Sequence, residues 1–159
     1  MFAWIETTDV AMWVALSLWA YPALLGAHII GLAIVVGIFV VRDLRLLNFF
    51  SALHPAAFLP LGKFAWVGFI INAISGVLLF TSQAVTFAGN VAFLVKISLI
   101  ITGMVLAGII QSRLRSELFT GASASIDTHI SKSTRTIALI SLLIWIGAIV
   151  AGRLVAYIV

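Results

Sequence analysis

No cysteine occurs anywhere in the 159 residues. That excludes disulfides, thiolate metal sites, iron–sulfur clusters and cysteine nucleophiles, and it removes the usual clue to redox compartment. Charge is almost as scarce. Only 9% of the residues are Asp, Glu, Lys or Arg, while 64% are hydrophobic, against about a quarter and about a half in an ordinary soluble domain. A water-soluble fold is thereby excluded. Three methionines, Met1, Met12 and Met104, are too scattered to form a thioether ladder that passes Cu(I). Phosphate loops, dinucleotide fingerprints, nucleophile elbows and metalloprotease motifs are also missing. The first residues carry Glu6 and Asp9 and no basic cluster, so they do not read as a cleavable signal peptide.

What remains is apolar runs of about 20 residues, each long enough to cross a hydrocarbon core about 30 Å thick. The spacing predicts spans over about 22–41, 64–84, 91–111 and 137–159. The expected fold is therefore all-α: a single polytopic membrane domain over 1–159, built as a four-helix bundle. Thr7 and Thr8 are candidate caps of a short helix reaching about Trp19, with Asp9 near its positive N-terminal end. Trp4, Trp13, Trp19 and Tyr21 crowd this stretch. Such rings favour the headgroup zone, so residues 1–21 are expected to form an interfacial amphipathic helix, ended or bent at Pro22. A continuous long first helix is the alternative.

The basic residues give the spans a direction. Arg42, Arg45 and Lys63 fall in the first connection, and Arg113, Arg115, Lys132 and Arg135 in the third. The second connection, from Ser82 to Asn90, carries none, and the N-terminal segment is acidic. Positive charge favours the cytoplasmic side, so both termini are expected outside, in the bacterial inner membrane facing the periplasm. The net charge of +4 is thus a topology signal, and a nucleic-acid partner is not expected. The first connection is rich in Leu and Phe and broken by Pro55 and Pro60, so it should skim the membrane surface. The third is polar and holds Gly121, and is expected to be the most mobile part. Small residues mark four faces for close helix approach: Ala27 with Gly31, Gly68 with Asn72 and Gly76, Gly103 with Ala107, and Ala148 with Gly152.

Ionisable residues within spans are costly enough to be functional candidates by default. Three occur here. At about 1.5 Å per residue, His28, Lys96 and Arg153 each lie roughly 8–10 Å below the outer ends of their spans, and Gln83 ends the second span near the same depth. Each helix therefore contributes a polar group to one cationic layer, with no acidic partner in any span. Such a layer calls for water, snorkelling or an anionic guest. Lys96 and Arg153 are also near enough to the surface to snorkel to lipid phosphate. His28 reads either as an interhelical hydrogen-bonding group or as the metal ligand of a haem, since imidazole is a common axial ligand of iron. His54 and His129 fall in the two cytoplasmic connections, so the three histidines are not expected to share a metal. Asp43, between Arg42 and Arg45, reads as a local ion pair, and Asn72 and Ser75 as interhelical hydrogen bonds.

Several segments together resemble a family of small, uncharacterised four-helix bacterial inner-membrane proteins. They are "WIE" from Trp4, "LWAYPALLGAHIIGLAIVVG" around His28, "VRDLRLL" from Val41, "SGVLLF" from Ser75, "FLVKISL" around Lys96 and "GRLVAY" around Arg153. The resemblance supports the topology and the polar positions, and it implies no reaction. More distantly, "AHIIGLAIVVGIFVVRDL" and the lysine in the third span are similar to copper-resistance D-type and HemJ-type membrane domains. The second likeness implies functional roles for His28 and Lys96.

Three functions fit these residues. The first is a b-type haem protein of membrane electron transfer, an oxidoreductase-type redox subunit with His28 on the iron and Lys96, Arg153 and Gln83 around the cofactor. Its second axial ligand is missing, which asks for five-coordinate iron, an unusual ligand or a homo-oligomer. The second is a non-catalytic accessory or scaffold subunit of a larger membrane complex. The third is a channel or carrier for a small anion, which four helices alone would serve only as an oligomer.

Overall fold

The computed structural model describes residues 2–50, 52–120 and 130–157. Among them lie seven α-helices and no strand. Two short helices come first, α1 over Ala3–Glu6 and α2 over Asp9–Leu16. The long helices α3 (Ala20–Leu46), α4 (Leu61–Thr81), α6 (Val91–Thr120) and α7 (Lys132–Leu154) are each long and apolar enough to cross a membrane. A six-residue helix, α5 (Ala84–Gly89), joins α4 to α6, and a 3-10 turn over Pro55–Phe58 precedes α4. The chain is an all-α, multi-pass membrane protein. Its outward side chains are those expected against lipid: Ile70, Ile74, Val77, Ile101, Val105, Leu143 and Val150 are all exposed.

The N-terminal segment differs from a single interfacial helix. Thr8 caps α2 by accepting from the Ala11 N–H at 3.3 Å, and the chain breaks over Ser17–Trp19 rather than at Pro22. Ser17 Oγ accepts from the Ala20 N–H at 3.2 Å, which starts α3 ahead of the proline. Pro22 then sits in the first turn, where a helix has no use for its missing N–H. The spans also run past their apolar cores. Helix α3 continues through Arg42 and Arg45, which are buried, while α6 runs on through Arg113 and Glu117 and α7 begins at Lys132, since polar helix formers carry a helix past its apolar run at little cost to its ladder.

Local signals close the ends. Asn48 takes the left-handed conformation, φ 72°, so that the Asn48 N–H reaches Arg45 O at 3.0 Å and the Phe49 N–H reaches Leu44 O at 3.1 Å. This satisfies the last carbonyls of α3. Ser131 caps α7 through the Thr134 N–H at 3.2 Å, while the Thr134 hydroxyl donates to Glu117 Oε1 at 2.8 Å and ties α7 to α6. The first connection does not merely skim the surface. Pro55 and Phe58 are buried, and Phe58 joins Leu46, Ile110, Leu114, Ile130 and Ala138 in a cluster that plugs one end of the bundle. Gly121 and His129 of the third connection lie outside the described residues.

Sequence neighbours pair: α3 packs on α4 and α6 on α7, and the two hairpins meet along α3 and α7. The helices thus follow the order α4, α3, α7, α6 around the bundle, and α4 and α6 are not packed against each other. The α3–α4 crossing is the tightest. A Cβ on Gly31 would meet Asn72 N and Gly68 O at 2.7 Å, and one on Gly68 would meet Ile34 at 2.7 Å. Only glycine permits that approach, so the small-residue faces read in the sequence are contact faces here. At mid-bundle Val35, Phe39, Ala65, Ala107 and Trp145 form a second cluster, with Trp145 lying over Gly103.

Candidate functional site

Helix α1, the last turn of α7 and α5 share one end of the bundle, and the polar layer lies below it. His28 is on α3, two turns in from the helix start. Its Nδ1 is 2.9 Å from the carbonyl of Asn72 on α4 and 3.4 Å from Ser75 Oγ. A carbonyl only accepts, so Nδ1 carries the hydrogen and Nε2 presents a lone pair. Asn72 returns the contact, its Nδ2 donating to His28 O at 2.8 Å. The Ser75 hydroxyl lies 2.6 Å from Ile71 O and donates back into its own helix. Asn72 and Ser75 are therefore the interhelical and supporting groups that the sequence indicated. Gly76 completes the cradle, since a Cβ there would lie 2.9 Å from His28 Cε1.

Lys96 approaches from α6. Its Nζ stands 3.5 Å from His28 Nε2, at the long limit of a hydrogen bond in which the ammonium donates to the lone pair. The stem runs beside Gly152 of α7, where a Cβ would be 3.5 Å from Lys96 Cδ. His28 and Lys96 are both half-buried. All four long helices thus take part, through His28, the Asn72–Ser75–Gly76 turn, Lys96 and Gly152.

The other two residues expected in the layer are elsewhere. Arg153 is exposed at the end of α7, donating to the Tyr157 hydroxyl at 2.8 Å with its guanidinium 5.1 Å from that ring. Gln83 is exposed as the N-cap residue of α5, and its side chain bonds neither His28 nor Lys96. The layer reduces to a histidine and a lysine. Of the four, His28 and Lys96 come together, and the sequence carried no information about rotation around the helix axes.

At the opposite end the sequence reading understated Arg42 and Asp43. They form the expected ion pair, Arg42 Nη2 to Asp43 Oδ1 at 2.8 Å, but it is inside the bundle with exposures of 1% and 0%. Arg42 also donates to Ala107 O at 3.2 Å and lies 4.8 Å from the Phe39 ring centroid. An acidic group therefore does lie within a helix span, about 22 Å along α3 from His28. Ser141 of α7 faces the Asp43 carboxylate in the interior, and Trp145 Nε1 is buried with no partner in hydrogen-bond geometry. Arg45 does not pair with Asp43, and its Nε donates to Leu53 O. The signal for this burial was available: residues 42 and 45 continue the helical period of the span.

His54 is exposed and its Nδ1 accepts from the Ala56 N–H at 3.2 Å, capping the 3-10 turn. Among the described residues no three His, Asp or Glu side chains converge as a metal site. Comparison with curated proteins and with solved structures returns no match. A family profile matches residues 1–158. The chain belongs to the family of unknown function DUF6644.

Proposed function

We propose that this protein is a membrane-embedded carrier for a small anion, in which the Lys96–His28 pair holds the anion and takes up a proton alongside it. The observation that carries the reading is the 3.5 Å approach of Lys96 Nζ to His28 Nε2, with no carboxylate of the described residues at that depth. One positive charge in an apolar bundle is unfavourable unless it meets an anion or loses its proton. The pair offers both routes. The ammonium supplies charge and donors, and Nε2 accepts the proton without a change of side-chain position.

The orientation belongs to the same reading. With Arg42 and Arg45 inside the bundle, Lys63, Arg113, Arg115, Lys132 and Arg135 still crowd one end, while the other holds only Arg153 and, in the layer below it, Lys96. This favours an inner-membrane protein that admits its anion from the periplasmic side.

A b-type haem fits the residues poorly. Iron would need the Nε2 lone pair that faces Lys96, Arg153 and Gln83 do not flank the imidazole, and no second histidine of the described residues shares its depth. An accessory role in a larger complex would make no use of a proton-exchanging pair.

The test is proteoliposomes loaded with a pH dye and challenged in turn with gradients of chloride, nitrate, formate and phosphate. At least one anion should produce a luminal pH change that is lost in Lys96→Met and weakened in His28→Phe, while Arg153→Gln behaves as wild type. Silence of the wild type toward all four anions, or an equal response from Lys96→Met, would refute the proposal.

A further inference from the structure

The gap between α4 and α6 is a built cleft. It measures about 290 Å³ and is lined by Phe39, Trp66, Met104, Gly108, Ser112 and Arg115, among others. On α6 the lining follows two adjacent helical rows, Met104–Gly108–Ser112 and Ala107–Gln111–Arg115. The rows run from apolar to polar over about 16 Å toward the basic end. Gln111 bridges to the other wall, its Nε2 donating to Leu59 O at 3.0 Å and standing where a Cβ on Gly62 would crowd it at 3.1 Å. The cleft lies on the side of the bundle where α4 and α6 are not packed against each other.

We propose that this cleft binds one acyl chain of an anionic membrane lipid, with the lipid phosphate on Arg115. The charge pattern selects that occupant. Arg115 is exposed at the polar end of the cleft and has no ion pair or hydrogen bond among the described residues. A guanidinium at the membrane surface takes phosphate bidentately, and Ser112 supplies a hydroxyl one turn away. Phe39, Trp66 and Met104 offer an apolar wall to the chain, in keeping with pockets that bury a hydrophobic body and orient it by few polar groups. The wall also reaches the interior: Phe39 stacks on Trp145 at 5.5 Å and lies under Arg42, and the Ala107 carbonyl takes Arg42 Nη1. A bound chain would therefore rest against the Arg42–Asp43 support.

Gly108 makes the proposal testable, since a Cβ built there meets nothing within 4 Å. Gly108→Leu extends a larger apolar side chain from the cleft wall, starting at a Cβ that meets no neighbour. The experiment is native mass spectrometry of the purified protein with phosphatidylglycerol and phosphatidylcholine in equal amounts. Wild type should retain one phosphatidylglycerol in preference to phosphatidylcholine. Arg115→Gln should cut that preference about tenfold, the size of one charge-assisted hydrogen bond, and Gly108→Leu should abolish retention of either lipid. Thermal unfolding in the same detergent checks that Gly108→Leu remains folded. Unchanged retention in Gly108→Leu, an unchanged headgroup preference in Arg115→Gln, or retention of a neutral quinone in place of phospholipid would overturn the proposal. Displacement of the lipid by inorganic phosphate would also count against it, because the chain supplies part of the binding.

Discussion

Gly76 and His28 are in edge contact: a side chain on Gly76 would begin 2.9 Å from the imidazole Cε1 and 3.2 Å from Nδ1. The absence of one methyl group on α4 thus sets where the ring on α3 can lie, and with it the reach of Lys96. Gly76→Ala should push the ring off Asn72 O and Lys96. Solution or solid-state ¹⁵N spectra of labelled histidine should then lose the Nδ1–H tautomer signature of His28, and stability should fall by about 1–3 kcal/mol, as for an overpacked contact. A spectrum identical to wild type would show that the cradle does not position the ring.

Gly31 and Gly68 contrast with Gly37 in what surrounds them: the first two face backbone or branched side chains at 2.7 Å, whereas Gly37 faces open space. Gly68→Ala should therefore destabilise by about 1–3 kcal/mol, and Gly37→Ala should stabilise by up to about 1 kcal/mol through helix propensity. Unfolding in mixed micelles titrated with dodecyl sulfate measures both. Equal effects at the two positions would contradict the close α3–α4 crossing.

The buried Arg42–Asp43 pair predicts a strongly non-additive cycle. Asp43→Ala leaves a buried guanidinium without its partner and should cost about 3–5 kcal/mol. Arg42→Met combined with Asp43→Ala removes both charges and should recover most of that loss. The same unfolding titration reads the cycle, and additive losses would mean that the two side chains act separately.

Since the natural chain has no cysteine, single introduced thiols report topology without background. Thr86→Cys, on α5 at the end that carries the termini, should react with an impermeant maleimide on intact cells. Ser133→Cys, near the start of α7, should react only after permeabilisation. The reverse pattern would invert the assigned orientation.

Much of this architecture was legible in the sequence because hydropathy reports membrane spans directly, and glycine and alanine spacing reports where they touch. The four spans and the contact faces through Gly31, Gly68, Gly76, Gly103 and Gly152 were read that way. The common level of His28 and Lys96, which do meet, was legible from the fixed rise of about 1.5 Å per residue. Azimuth was not. Whether Arg153 turns toward Lys96 or toward Tyr157 depends on the rotation of α7, and nothing in a uniformly apolar run fixes it. The carbonyl of Asn72 that sets the histidine tautomer is a backbone atom and leaves no trace in residue identity. Arg42 and Asp43 were assigned to a connection because charge is the ordinary sign of a span's end, yet mutual pairing and the Ala107 carbonyl let the helix carry them inside.

The order α4, α3, α7, α6 also bears on how the molecule assembles. Within each hairpin the packed helices are consecutive in the chain, so those contacts form between segments that enter the bilayer together and are low in contact order. The seam between α3 and α7 is different, because it joins parts of the chain about a hundred residues apart. Lys96 crosses that late joint to reach His28. The pair is therefore absent from either half alone, and its formation reports that the two halves have docked.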